Sequence, residues 1–245
     1  MREVLHDTLA TMYTTAHQLR TGETYHLCCD GLCATFENQS PWMQDRLEHQ
    51  QRKECLVVID AYSRICPSDV FWDIGAAYGL YSCLLGSAIS DIRVVSFEPH
   101  PDHAPLIRSN LATNNVDGSV HNIALGSGSG TITYHPDTEQ TVNSEFHYGE
   151  KIRLESGDKL IEDNNVLTPD VIKVDVEGSE LDVLMGLEEA ISDSVRLIYC
   201  ETHPDKAPTR NPTERIREWL VERSYDVQIV DTKEGEEPLL RGMKH

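Results

Sequence analysis

The chain has 245 residues, 39% of them hydrophobic and 25% charged, which suits one sizeable core and excludes a disordered chain. Its 41 acidic and 21 basic side chains leave a net charge of −20. The surplus of Lys and Arg that grips phosphate backbones or anionic membranes is missing, so the composition argues against nucleic-acid and membrane partners.

The N-terminus, Met1 to Asp7, lacks the apolar run of a signal peptide, and nowhere does the chain approach the roughly 20 apolar residues of a membrane helix. Residues 1–66 read as a mostly helical cover. Leu5, Leu9, Met12 and Ala16 keep a three-to-four-residue period, and Met43, Leu47, Cys55, Val58, Ile59 and Tyr62 predict a second helix. Tyr25 to Ala34 fits neither period. Its cysteines, Cys28-Cys29-x-x-x-Cys33, have no second pair at zinc-like spacing. An odd total of 7 cysteines reads as thiols in a reducing cytoplasm. Arg outnumbers Lys by 14 to 7, and the dispersed acidic excess reads as that of a halophilic protein, with an ordinary acidic enzyme as the alternative.

Pro67-Ser68-Asp69 ends this pattern, and residues 67–245 form a second unit. Val70 to Ile74 is a buried-strand run, followed by a glycine-rich turn and a helix over Leu80 to Ile89. Arg93 to Phe97 is the next strand, and Pro101 starts the next helix, where proline is tolerated best. Val120 to Leu125 is a third strand and Thr131 to Tyr134 an added β segment. Val171 to Val174 is a fourth strand. Ser179 caps a helix whose apolar face is Leu181, Leu184, Leu187 and Ile191. Val195 to Cys200, a helix over Thr213 to Glu222 and strands from Tyr225 complete the chain. Alternating strands and helices predict a doubly wound α/β fold with a mostly parallel sheet.

Such sheets bind ligands beyond the carboxyl ends of their strands. Asp73 ends the first strand and leads into Gly75-Ala76-Ala77-Tyr78-Gly79. Glu98 ends the second, Asn122 lies toward the end of the third, Asp175 and Glu177 follow the fourth, and Glu201 and His203 follow the fifth. The glycine spacing is G-x-x-x-G, with Ala77 where a dinucleotide fingerprint needs its second glycine. Beside an acidic strand end, that turn suits a cationic donor without phosphates, S-adenosylmethionine, better than NAD, with Glu98 accepting from the ribose hydroxyls.

Val70 to Ser82 (VFWDIGAAYGLYS), Ser96 to Pro101 (SFEPHP), Ala124-Leu125-Gly126 and Pro169 to Glu180 (PDVIKVDVEGSE) resemble the FkbM-type methyltransferases over roughly residues 55 to 230. The resemblance implies a Rossmann-like methyltransferase sheet and S-adenosylmethionine-dependent O-methylation of a small-molecule or glycan hydroxyl. Where the family loop usually has Asn, this chain has Ala77. Carried over, Asp73, Gly75 and Gly79, with Ala76 and Ala77, shape the methionine end of the cofactor site. Glu98, beside Pro99, holds the ribose, Asn122 to Ala124 edge the adenine, and Asp175 faces the methionine moiety or the acceptor. The chain lacks the Asn/Asp-Pro-Pro-aromatic motif of amino-group methyltransferases, which favours an oxygen acceptor.

A hydroxyl acceptor needs a base as its proton leaves. The candidates are His203, Glu177, Asp175 and His100, with His203 closest to the right pKa. Two carboxylates at neighbouring strand ends are thin grounds for a metal, and none is assigned. The alternative from another class is a binding module that keeps the nucleotide site without catalysis. Methyl turnover on a panel of acceptors separates the two.

Overall fold

The computed structural model describes residues 24–38, 41–135, 140–142, 150–231 and 237–244. The helix read from Leu5, Leu9, Met12 and Ala16 lies outside them. The helical reading of residues 1–66 is corrected over 24–37, where strands β1 (Thr24–Cys29) and β2 (Leu32–Glu37) form an antiparallel hairpin. The turn between them is Asp30-Gly31, with φ of 47° and 86°, the backbone of a two-residue hairpin turn. Tyr25, Leu27 and Cys29 are buried and alternate with less buried neighbours, a two-residue period that a helix cannot satisfy. The register sets Cys28 opposite Cys33, and the two are joined by a disulfide. The thiol reading fails at these two positions and holds for Cys29, Cys55, Cys66, Cys83 and Cys200.

Helix α1 (Pro41–Tyr62) follows, burying Met43, Leu47, Val58 and Ala61. Then come β3 (Val70–Ile74), α2 (Leu80–Ala88), β4 (Arg93–Phe97), α3 (His103–Thr113) and β5 (Gly118–His121). Next are β6 (Ala124–Leu125), β7 (Gly130–His135), β8 (Gln140–Val142), β9 (Glu150–Glu155) and α4 (Gly157–Glu162). The chain continues through β10 (Val171–Val174), α5 (Glu180–Met185), α6 (Glu188–Asp193), β11 (Leu197–Glu201), α7 (Pro212–Glu222), β12 (Asp226–Asp231) and β13 (Leu239–Met243).

The central sheet has seven strands in the order β12-β13-β11-β10-β3-β4-β5. The strands from β11 to β5 are mutually parallel, and β13 runs antiparallel to both its neighbours. One face, carrying Phe71, Val94, Val171 and Leu197, packs with α1, α2, α3 and the hairpin in a single core. The other, carrying Trp72, Val95, Ile172 and Ile198, packs under α5, α6 and α7. The doubly wound α/β expectation is met. Among the described residues no helix is long and apolar enough to cross a membrane.

Three local expectations shift. The third strand is two, because β5 ends at His121 and β6 belongs to a separate four-stranded sheet, β6-β9-β7-β8. The helix expected from Pro101 begins at His103. The helix after Ser179 is broken into α5 and α6, since Gly186 passes so close to Gly126 that a Cβ there would lie 1.9 Å from its carbonyl oxygen. Ser179 itself makes no side-chain cap.

Candidate functional site

The carboxyl ends of β3, β4, β10 and β11 open onto a cleft of about 1140 Å³, lined among others by Gly75, Ala77, Glu98, Asp175, Glu177 and His203. The turn after β3 shapes one end. Gly75 has φ of +78°, and a Cβ there would stand 1.8 Å from the Asp175 carbonyl oxygen, so only glycine lets the β3 and β10 ends approach this closely. Ala77 is also left-handed, with φ of 49°.

Glu98 holds that turn in place. Its Oε2 accepts the Ala77 N–H at 2.7 Å and its Oε1 the His100 N–H at 2.8 Å, with the residue 5% exposed. Each carboxylate oxygen has a second lone pair, so the group can still accept from a ligand in the cleft that it lines. Beside it, His103 stacks on His100 at 3.8 Å between centroids and packs against Tyr78 at 4.5 Å. Burial first, then the charges of His100 and Arg46, push His103 down to about 3.

Pro99 and Ala124 line the cleft as expected, but Asp73, Ala76, Gly79, Asn122 and His100 are not among its lining residues. Asp73 is buried beneath α2, where its Oδ2 accepts the Ser82 hydroxyl at 2.6 Å and the Ser82 N–H at 3.2 Å. Burial pushes this carboxyl above its ordinary range, against the opposing pull of Lys173 and Ser82. Asn122 sits behind the β4 turn, donating to the carbonyls of Glu98, Pro99 and His100 at 2.8, 3.0 and 3.3 Å. Asp73 and Asn122 therefore brace the walls.

At the other end, His203, Asp175 and Glu177 do come together. His203 is 2% exposed, with Nδ1 2.6 Å from Glu180 Oε1 and Nε2 3.5 Å from Asp175 Oδ1, 3.8 Å from Glu177 Oε2 and 4.0 Å from Glu201 Oε1. Burial opposes its charged form, but the Glu180 hydrogen bond and the Asp175 and Glu177 charges outweigh it and push the ring up to about 9. That shift favours the protonated ring at neutral pH, where the sequence reading started from an unperturbed imidazole.

Sequence reasoning missed Lys173, which is 2% exposed and places Nζ 3.1 Å from Asp175 Oδ2 and 4.6 Å from the Tyr81 ring centroid. Burial alone would lower this ammonium; Asp175, Glu54, Asp73 and Glu201 together raise it instead. Lys206 pairs with Glu177. These ammonium groups already meet the carboxylates of the cluster, and we assign it no metal. A lone lysine inside the apolar run Val171 to Val174 was the available signal. Helix α1 was expected, but not its place at the site: Arg46, His49, Gln50 and Lys53, spaced to share one helix face, line the cleft.

Residues 73–227 match the family model of the methyltransferase FkbM domain. The chain belongs to the FkbM methyltransferase family. It is 34% identical over 145 residues to the hexuronic acid methyltransferase AglP of Haloferax volcanii, covering 57% of this chain and 58% of that protein. It is 27% identical over 174 residues to the 31-O-demethyl-FK506 methyltransferase FkbM of Streptomyces tacrolimicus, covering 56% and 66%. The matches thus span less than two thirds of the length of these relatives.

Among solved structures, an FkbM methyltransferase from Methylobacillus flagellatus superposes with a TM-score of 0.52 at 17% identity, covering 82% of this chain and 58% of that one. The magnesium protoporphyrin IX methyltransferase ChlM of Synechocystis gives 0.51 at 12%, covering 84% and 86%. At such identities the likeness concerns the fold, which this FkbM-family chain shares with Rossmann-like methyltransferases.

Proposed function

We propose that this FkbM-family protein is an S-adenosylmethionine-dependent O-methyltransferase acting on a hydroxyl of a small molecule or glycan. The observation that carries the reading is the convergence of the Gly75–Ala77 turn, Glu98, Asp175 and His203 on one cleft at the strand ends. The residues fit the donor. Glu98 offers buried acceptor oxygens for ribose hydroxyls, Phe97, Ile123 and Leu125 offer an apolar wall for a flat base, and Asp175 offers negative charge for an ammonium group. When bound, that donor supplies an electrophilic methyl group. The protein aligns the two reactants, and His203, with Glu177 and Asp175 beside it, handles the hydroxyl proton. A hexuronic-acid glycan is the first acceptor to test, because AglP carries that substrate in its name.

Calorimetry with S-adenosylhomocysteine and with NAD decides the donor, and preferential NAD binding would defeat the reading. Replacing Glu98 by Ala is expected to weaken cofactor binding by about 1.5–3 kcal/mol, the usual loss for hydrogen bonds to a charged group. Unchanged affinity in a folded variant would remove Glu98 from the ribose site. Transfer of a labelled methyl group to uronic-acid and neutral glycans then tests turnover, and bound cofactor without turnover across the panel would favour a non-catalytic module.

A further inference from the structure

His203 is fixed on one side and exposed to charge on the other. Nδ1 lies 2.6 Å from Glu180 Oε1, and the same oxygen accepts the Gly178 N–H at 2.8 Å. Glu180 is 1% exposed and opens helix α5, so carboxylate and ring are locked together under the loop that follows β10. The His203 carbonyl accepts the N–H groups of Lys206 and Ala207, which fixes the backbone as well. Nε2 then faces Asp175, Glu177 and Glu201 across 3.5 to 4.0 Å, and all three line the cleft. Glu237 completes the carboxylates around the ring, Lys206 draws on Glu177, and Lys173 draws on Asp175.

We propose that Glu180 and His203 form a charge-gated acid–base pair, in which Glu180 holds the ring and positive charge arriving beside Asp175 and Glu177 frees Nε2 to accept the acceptor's hydroxyl proton. The proposal rests on the methyltransferase reading. In the free protein the ring holds its own proton up to about pH 9. A cation entering the cleft competes with the imidazolium for the same carboxylates, and the ring's affinity for that proton falls. The proton leaves to solvent, and Nε2 becomes a base only when the donor is in place.

The charges of the step balance. Nε2 takes the hydroxyl proton as the oxygen–carbon bond forms and the carbon–sulfur bond breaks, with its electron pair staying on sulfur. One positive charge disappears from sulfur and one appears on the ring, beside the same carboxylates. The nest that favours a cation before transfer therefore still holds one afterwards, and little charge reorganisation is required. Glu180 is a positioning residue in this scheme, and His203 is the catalytic one.

The test is a ring titration by nitrogen–proton NMR of the whole chain, with the His203 signals identified by their loss in H203Q. The ring is expected to titrate near pH 9 when free, and lower by about 1–2 units with S-adenosylmethionine bound, the effect of an added nearby charge. With S-adenosylhomocysteine, which keeps the ammonium and lacks the sulfonium, the shift should be smaller. E180Q should lose the strongly hydrogen-bonded Nδ1 proton signal and lower the free ring's titration. Binding that leaves the wild-type ring unmoved overturns the gate while sparing the methyltransferase reading. Failure of both ligands to bind overturns both. A folded E180Q whose ring titrates as in the wild type removes Glu180 from the pair.

Discussion

Raising the pH through the His203 transition is expected to cost the fold about 3 kcal/mol. That figure is the gap between about 9 in the folded chain and about 6.5 for an exposed imidazole, at 1.36 kcal/mol per pH unit. Because the folded value lies above the unfolded one, the stabilisation is complete below about pH 6.5 and disappears as the pH rises through about 9. In between, stability should fall by about 1.4 kcal/mol per pH unit. Urea denaturation across that window measures it, best as the difference between wild type and an E180Q/H203Q variant that has neither ring charge nor an unpaired Glu180. Buried thiols such as Cys83, which burial pushes up, also lose stabilisation once unfolded thiols ionise above about pH 8.5. They are common to both proteins and cancel. Parallel curves for the two proteins would refute the assignment of a buried imidazolium.

Gly75→Ala is expected to lose about 3 kcal/mol, since the new Cβ would stand 1.8 Å from the Asp175 carbonyl oxygen at a left-handed φ, combining overpacking with backbone strain. A urea midpoint equivalent to wild type would mean that the β3 and β10 ends separate freely. The net charge of −20 predicts a melting temperature that climbs from about 0.1 M to about 1 M KCl, as the Debye length shrinks from about 10 Å to about 3 Å. A neutral-osmolyte control removes excluded-solute effects, and a flat or falling series would end the halophilic reading.

The central strands were legible because Val70 to Ile74, Val171 to Val174 and Leu197 to Glu201 are buried on both faces and are apolar but for one charged residue each. The breaks were not. Val120 to Leu125 reads as one strand, yet it turns from one sheet to another at Asn122, and only tertiary contacts decide that. The hairpin was missed despite Asp30-Gly31, a strong turn signal between alternating runs. In the site, Glu98, Asp175 and Glu177 in the turns after their strands reached the cleft, whereas Ala76, Gly79 and His100 in such turns did not. Asp73 did not, because its position within β3 points it beneath α2. Glu180 was hidden for a different reason: as the first residue of a helix it reads as a favourable N-terminal charge, and its partner lies 23 residues away in sequence.

The acidic excess of this chain therefore has two physically different parts. Among the described residues most carboxylates are at least partly exposed and repel one another through water, where salt screens them. Asp73, Glu54, Glu180 and Glu201 are buried, at distances too short and in surroundings too dry for salt to reach. The buried group is tolerable only because Lys173 and protonated His203 are buried with it, since an uncompensated buried charge costs several kcal/mol. The two parts should answer to different variables. Salt should move the melting temperature and leave the His203 titration nearly where it is, whereas pH between about 6.5 and 9 should act through the site. If raising KCl to about 1 M lowered the His203 titration by more than about one pH unit, the carboxylates around the ring would have to be solvent-screened. The ring would then be an exposed histidine near surface acids, with no enclosed nest for a cationic donor to enter.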